Sequence, residues 1–529
     1  MIKWFPMPSQ GRRSTRPTIP TGRAAVTTVL VLSTLALAPP RVTGVHSARR
    51  APPDNAAGPY AVAGLIHMAR SDKASFRADD RGIAPDYNRR YALARHSKVL
   101  IPAFARKFSL PCSACHTVWP ELNSFGQRFR DNGYQLGNDR DAPIWQNPSY
   151  FPLAVRTTPQ WHLERTTRQP VDAVRGDATS GKVERTITQQ GFDLSGVDFL
   201  MLGTLHKNIS FGFIAAAEDG SLGVEAAYVR FDDLFNSHWA NFKVGKFELD
   251  NLVSEKRGVF LSGNGGFYQN YHFAPVGDAT TFGLGDNQIG AEFSGHSANS
   301  YTRYGAGIFG TTDGESGVAG GRAYDASLTF SQAFDAGSLG IQRIGAYAYV
   351  GQRPTVFETA DGEPIAGTGT ANKPFQRYGV AGDFFFGDLE LMPLYMRAQD
   401  DAYLGTATPG DEPLPAGARA PKWNGGLLEV HYYLDQQNVL TQRSEFIRMS
   451  QQAFPSTPGN LGNIDAYSFG YRWYPMMTSR AGLAIHSEFS MAKTIGNVPL
   501  SGLGVGLPPL SQATAVWSRS LLFAVDFVF

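Results

Sequence analysis

Two cysteines and a histidine carry the most specific chemistry in this chain. Cys112-Ser113-Ala114-Cys115-His116 is a C-x-x-C-H pentapeptide, which in an exported protein reads as the attachment site of a c-type haem. The two thiols add across the porphyrin vinyl groups, and the adjacent histidine supplies one axial nitrogen to the iron. Two intervening residues let both sulfurs reach one porphyrin edge while His116 turns under the ring. Cys112 and Cys115 are the only cysteines among the 529 residues, so no disulfide framework competes for them. A zinc site would need a second ligand pair at matching spacing, which the sequence lacks. A redox dithiol of the thioredoxin kind would sit in a βαβ pattern, which is also missing.

The element that must present this motif is short. Pro120 suits a first helical turn, and Leu122, Phe125 and Phe129 recur on one apolar face. Asn132-Gly133 then provides a left-handed stop, so the spacing predicts a single helix after His116. The whole haem segment is about thirty-five residues, below the roughly forty at which a chain seldom encloses a core unaided. It holds no methionine: after Met68 the next is Met201. Another part of the chain must therefore shelter the haem and supply any second iron ligand.

The chain opens with Arg12, Arg13, Arg16 and Arg23, followed by an apolar run from Ala24 to Ala38 that ends on an Ala-Leu-Ala cleavage-like site. This pattern predicts a signal peptide over 1–38, and the run, about fifteen residues, is too short to span a bilayer comfortably. Export would place the cysteines outside the reducing cytosol. Residues 39–103 are rich in Pro, Ala, Arg and Asp and read as an extension or linker. The haem segment follows over 104–147.

From 148 to 529 the texture is that of a β-protein, with short alternating segments separated by Gly, Asp, Asn and Pro clusters. Leu153, Val155, Thr157, Trp161 and Leu163 share one parity, against Arg156, Thr158, Gln160, His162 and Glu164. Leu428, Val430 and Tyr432 oppose Glu429, His431 and Tyr433, and Leu483, Ile485 and Phe489 oppose Ala484, His486, Glu488 and Ser490. The length, roughly 380 residues, is long for a soluble sandwich of about 100. The 35 Phe, 21 Tyr and 8 Trp with a formal charge of +2 suit the aromatic girdles of an outer-membrane barrel. Leu521, Phe523, Val525, Phe527 and Phe529 form an aromatic closing strand of the kind that addresses barrels to Gram-negative outer membranes. At about ten residues per strand plus turns and loops, sixteen strands is the natural even number. Outer loops are expected over Asp313–Arg322, Arg353–Pro374 and Asp401–Ala420. The expected fold is thus an all-β transmembrane barrel with a small helical haem segment plugging its lumen.

No Gly-rich phosphate loop, hydrolytic triad or basic nucleic-acid patch is present. The second axial ligand must come from the extension, which holds His67, Met68 and His96, or from the barrel wall. His162 shares its parity with polar residues and lies on the first strand after the plug, so it is the leading candidate. His431 and His486 face inward by the same test, His206 lies near a turn, and a five-coordinate iron is the remaining option.

The segment FARKFSLPCSACHTVWPELNSFGQRFRDNGYQ, followed by a barrel of this length, resembles the fused outer-membrane monohaem cytochrome–porins. These include the iron-oxidising outer-membrane cytochromes of acidophilic and neutral-pH iron bacteria. The matching residues are Cys112, Cys115, His116, Pro120, Asn123, Phe125, Gly126, Asn132, Gly133 and Tyr134, with looser likeness at HKNISFGF from His206 and NFKVGKFE from Asn241. The stretch from Pro39 to Leu100 departs from the family, whose members begin closer to the motif. The resemblance implies one covalently bound haem c inside the lumen, set in outer-membrane lipid. It implies electron transfer from an extracellular donor, Fe(II) or another, to a periplasmic carrier, with no nucleic-acid partner. A porin or binding protein with a structural or sensory haem is the alternative from another functional class. For the motif itself the expected outcome is direct: Cys115→Ala loses the haem-stained band on a denaturing gel, and a retained covalent haem signal contradicts the assignment.

Overall fold

The period-two pattern folds into strands whose polar side is hidden and whose apolar side is bare. The computed structural model describes 104–136, except 105, 106, 109, 111 and 120, and most of 151–529. Outside the described residues lie 1–103, 137–150, 250–259, 261–286, 312–323, 354–371, most of 406–421, 450–462, 478–480, 497–513 and a few isolated positions. The expected signal peptide and extension, with His67, Met68 and His96, fall outside them.

Sixteen strands follow one another along the chain. They are β1 (Leu153–Val174), β2 (Asp177–His206), β3 (Ile209–Glu218), β4 (Ser221–Phe231), β5 (Asn241–Glu248), β6 (Asn287–His296), β7 (Thr302–Phe309) and β8 (Asp325–Asp335). Then come β9 (Ile341–Arg353), β10 (Lys373–Phe386), β11 (Leu389–Asp400), β12 (Lys422–Tyr433), β13 (Asn438–Met449), β14 (Asn463–Met477), β15 (Gly482–Gly496) and β16 (Thr514–Val528). Each pairs antiparallel with its chain neighbours, and β1 closes on β16 in the register Trp161↔Phe523. Beyond that ladder Val155 and Phe529 exchange two backbone hydrogen bonds of 2.8 and 2.9 Å. Closure leaves no sheet edge, which is what a strand-built wall needs in hydrocarbon, where no water can satisfy a bare amide.

The distribution of side chains identifies the solvent outside. On β12, Glu429, His431 and Tyr433 are buried while Leu428 and Tyr432 are exposed. On β15, His486, Glu488 and Ser490 are buried while Ile485 and Phe489 are exposed, and on β16 Asp526 is buried while Phe523 and Val525 are exposed. A water-soluble sheet would show the reverse; lipid on the outer face makes this order favourable. The protein is an outer-membrane β-barrel.

Turns joining an even strand to the next odd one are short, as at Lys207–Asn208 and Gly387–Asp388, whereas the longest connections follow odd strands. Short turns face the periplasm in such barrels and long loops face outward. The expected outer loops all fall on the long-loop side, although Arg353 ends β9 and Lys373–Pro374 already begin β10. Asp313–Arg322 lies outside the described residues.

Two short helices stand inside the wall: α1 (Cys112–Cys115) and α2 (Ser124–Asp131). The helix expected from Pro120 begins four residues later, because Asn123 is the stronger start signal. Its side chain accepts from the Gly126 amide at 2.9 Å and donates to the Ala114 carbonyl at 3.1 Å. Such a cap contributes about 1 kcal/mol. The residues before it curl back instead, with Leu122 bridged to His116 and the Asn123 amide donating to Cys115 at 2.9 Å. The expected stop is present: Asn132 caps the helix and Gly133 follows at φ +73°.

The lipid-facing assignment is testable at Phe489, half-exposed at mid-β15. Phe489→Arg is expected to destabilise the bilayer-inserted barrel by about 2–4 kcal/mol, read as a lowered denaturant midpoint. An unchanged midpoint contradicts lipid contact at this position.

Candidate functional site

The wall grips the plug mainly through the plug's own backbone carbonyls. Tyr474 and Arg472 of β14 donate to the Trp119 carbonyl at 2.8 and 3.3 Å. Thr204 of β2 donates to Gly133 at 2.9 Å, and Arg230 of β4 donates to Arg130 and Asp131 at 2.9 and 3.1 Å. Two short helices leave several carbonyls without an intrahelical partner, so the wall supplies the missing donors. Side chains add register: Arg303 pairs with Asp131 at 2.9 Å, and Tyr134 meets Tyr228 hydroxyl to hydroxyl at 2.9 Å. The Arg156 guanidinium lies over the Trp119 ring, 5.0 Å from its centroid, while its Nε is held 3.1 Å from Asp526. Every one of these wall residues lies within a few positions of the short-turn ends of the strands.

Between plug and wall is a cavity of about 270 Å³ that is partly open to solvent. Cys112, Cys115 and His116 stand on one side of it. Phe104, Phe108, Leu122 and Phe129 of the plug continue that side, and Ala154, Leu200, Leu202, Ala484 and Val528 of the wall oppose them. The plug aromatics support one another, with Phe129 edge-on to Phe104 and Phe108 at 5.0 and 5.6 Å between centroids. The helix face expected to meet a porphyrin was Leu122, Phe125 and Phe129; the cavity takes Leu122, Gly126 and Phe129, since the later helix start rotates the face. Gly126 is needed there, because a Cβ would overlap the Cys115 carbonyl and so force α2 away from α1.

These residues fit a covalent haem. The two thiols sit on one single-turn helix, the walls are almost wholly apolar, and the room, about 270 Å³, lies near the lower end of ordinary ligand pockets of about 300–1,000 Å³. Burial, together with neighbouring Cys112, pushes the Cys115 thiol up to about 12. That is opposite to the lowered value a reactive redox dithiol requires. His116 Nδ1 lies 3.1 Å from the Glu121 carbonyl. With Nδ1 donating there, the lone pair falls on Nε2, which is the arrangement of a ligating histidine.

The structure does not bring His162 to this cavity. Its side chain faces inward, as parity implied, between Leu522 of β16 and Gly191 of β2. Yet it stands eight residues beyond Ala154, about 26 Å further along the strand. His206 ends β2 in the open, and His486 is buried between Arg472 Nε and Glu488, each at 2.9 Å. His431 is buried among carboxylates.

A residue that strand parity excluded is present instead. Met477 shares its parity with lipid-facing Trp473, but the pairing slips between Trp473↔Ile485 and Met476↔Leu483. This bulge inserts one residue and turns Met477, opposite Gly482, into the cavity lining. The signal was Pro475, since a proline inside a strand marks an edge or a bulge. Other cavity side chains able to bind iron are engaged: Tyr134 with Tyr228, Tyr474 with Trp119, and Asp526 with Arg156.

No protein-family model and no curated sequence matches this chain. Among solved structures, OmpT of Vibrio cholerae is similar at 12% identity over 72% of this chain and 98% of its own, with a TM-score of 0.41. The outer membrane channel DcaP of Acinetobacter baumannii matches at 10% identity over 71% and 97%, TM-score 0.43. An anion-selective porin from Comamonas acidovorans matches at 12% identity over 71% and 99%, TM-score 0.41.

The packing at Gly126 generates a prediction. Gly126→Val is expected to cut the haem-to-protein ratio severely while the barrel retains its folded mobility on unheated gels. Full haem loading in this variant contradicts the close approach of α1 and α2.

Proposed function

We propose that this chain is an outer-membrane electron-transfer protein of the fused monohaem cytochrome–porin type. In this reading one haem c is bonded to Cys112 and Cys115 with His116 as axial ligand. The observation that carries it is the apolar cavity beside these three residues, enclosed between plug and wall inside the lumen. Bound there, the haem supplies a one-electron iron couple. The chain's own residues do the rest. Glu121 orients the His116 imidazole through its carbonyl, as outer-shell partners of ligating histidines do. Phe129, Leu200 and Val528 keep water from the apolar walls. Met477, which lines the cavity, would hold the iron in place of His162, and a thioether paired with a histidine would raise the reduction potential.

The donor is extracellular, with Fe(II) as the donor that the resemblance implies. Oxidation outside keeps insoluble ferric products off the periplasm. The acceptor is a periplasmic carrier, and the cavity's place near the short-turn rim supports a handover on that side. A plug anchored by hydrogen bonds from several strands also suits electron passage better than the free diffusion of solutes.

Two measurements test the reading. Anaerobic Fe(II) added to intact cells is expected to reduce the haem rapidly; an unreduced haem with intact solute flux overturns the proposal in favour of a porin with a structural haem. In purified protein, Met477→Ala is expected to convert a low-spin haem spectrum to high-spin and lower the potential, with His162→Ala unchanged. The opposite pattern overturns the assignment of Met477.

A further inference from the structure

A cluster beside the haem cavity has no part in holding the plug's backbone. Glu121 of the plug, Glu390 of β11 and His431 of β12 are 4%, 0% and 0% exposed. One ligand atom from each lies within 4.8 Å of the other two. His431 Nδ1 is 3.0 Å from Glu390 Oε2 and 3.2 Å from Glu121 Oε2. Its other nitrogen, Nε2, lies 2.7 Å from Glu429, whose second oxygen is held at 2.7 Å by Arg443 Nε. The two sides of the ring thus have different surroundings. On the Nε2 side is a carboxylate fixed by a guanidinium, which is the outer-shell arrangement that orients metal-bound histidines. On the Nδ1 side two carboxylates converge, and the Tyr433 hydroxyl donates to Glu390.

Two further observations point to a cation. Glu390 is fully buried, and its Oε1 has no hydrogen-bond partner among the described residues. Among the described residues, Glu121, Glu390 and Glu429 are also buried beside the His431 imidazole, with Arg443 paired to Glu429. Buried carboxylates need paired cations or coordinated metals.

We propose that Glu121, Glu390 and His431 form a binding site for one divalent transition-metal ion, coordinated through two carboxylates and the His431 Nδ1. Nitrogen with carboxylate oxygen is a donor set suited to first-row ions. Three protein ligands leave positions for water, as in exchangeable rather than structural sites. Glu121 links the site to the haem ligand, since its carboxylate joins the cluster while its carbonyl accepts from His116. Glu429 and Glu445 lie on lumenal strand positions successively further from the short-turn rim, an acidic approach from the outer side. Assigning the ion as donor Fe(II), which gives one electron to the ferric haem and leaves as Fe(III), rests on the proposed function. The site itself does not.

Zn(II) separates the two, because it binds such ligands more tightly than Fe(II) and carries no electron. Equilibrium dialysis of the haem-loaded full chain against Zn(II) is expected to show one bound ion per chain. Glu390→Gln and His431→Ala are expected to lose tenfold or more in affinity with an unchanged haem spectrum, and Glu429→Gln about 10–100-fold. Glu390→Gln keeps the shape of the side chain, so it decides the matter if His431→Ala fails to fold. Absence of stoichiometric Zn(II), or its undiminished retention in Glu390→Gln, overturns the site. Fe(II) is then mixed with the wild-type protein: a haem left oxidised defeats the electron-transfer reading, whatever zinc has shown.

Discussion

A segment of some thirty residues cannot enclose an apolar cavity by itself, and the rest of the structure answers to that constraint. The plug supplies one apolar side through Leu122, Phe129, Phe104 and Phe108. The other side has to come from a lumen, which in these barrels is polar by default. On the side of the lumen that faces the thiols the wall positions accordingly change character: Ala154, Leu200, Leu202, Ala484 and Val528 are apolar, whereas Glu390, Glu429, Arg443 and Glu488 elsewhere in the lumen are charged. The barrel is a membrane wall on its outside and the missing half of a small domain on its inside.

Holding so small a plug in register needs contacts that do not depend on its having a core. The wall provides them by donating to backbone carbonyls of the plug, from Thr204, Arg230, Arg472 and Tyr474. These donors come from strands far apart around the barrel, so the plug cannot rotate without breaking several at once. Within the plug, Asn123 caps α2 and ties it to α1, and Gly126 permits the approach. The thiols and His116 are thereby presented together on one side of the cavity.

Lumenal charge is the second organising force. Among the described residues, buried carboxylates outnumber buried arginines, and Arg377, Arg443 and Arg472 are each tied to at least one acidic group. A lumen lined by carboxylates favours cations over anions. It also puts Glu121 at the junction between the polar lumen and the apolar cavity, with its side chain in the first and its carbonyl serving the second.

The C-x-x-C-H motif, the barrel class, the strand number and most inward-facing positions were legible in the amino-acid sequence. Each rests on local chemistry or on a period of two, and neither needs a partner distant in the chain. Parity correctly turned His162 inward, but parity carries no depth, and β1 runs on well past the plug. The helix start was misplaced because Pro120 and Asn123 both read as start signals, and only the curl that bridges Leu122 to His116 selects between them. Met477 was hidden because one bulge reverses every side chain beyond it, which Pro475 hinted at but the pairing with β15 decided. Glu121, Glu390 and His431 are separated by roughly three hundred residues at their widest, and nothing along the chain marks them as a group. Barrel closure and the seat of the plug bring them within reach of one ion, and those are properties of the tertiary structure alone.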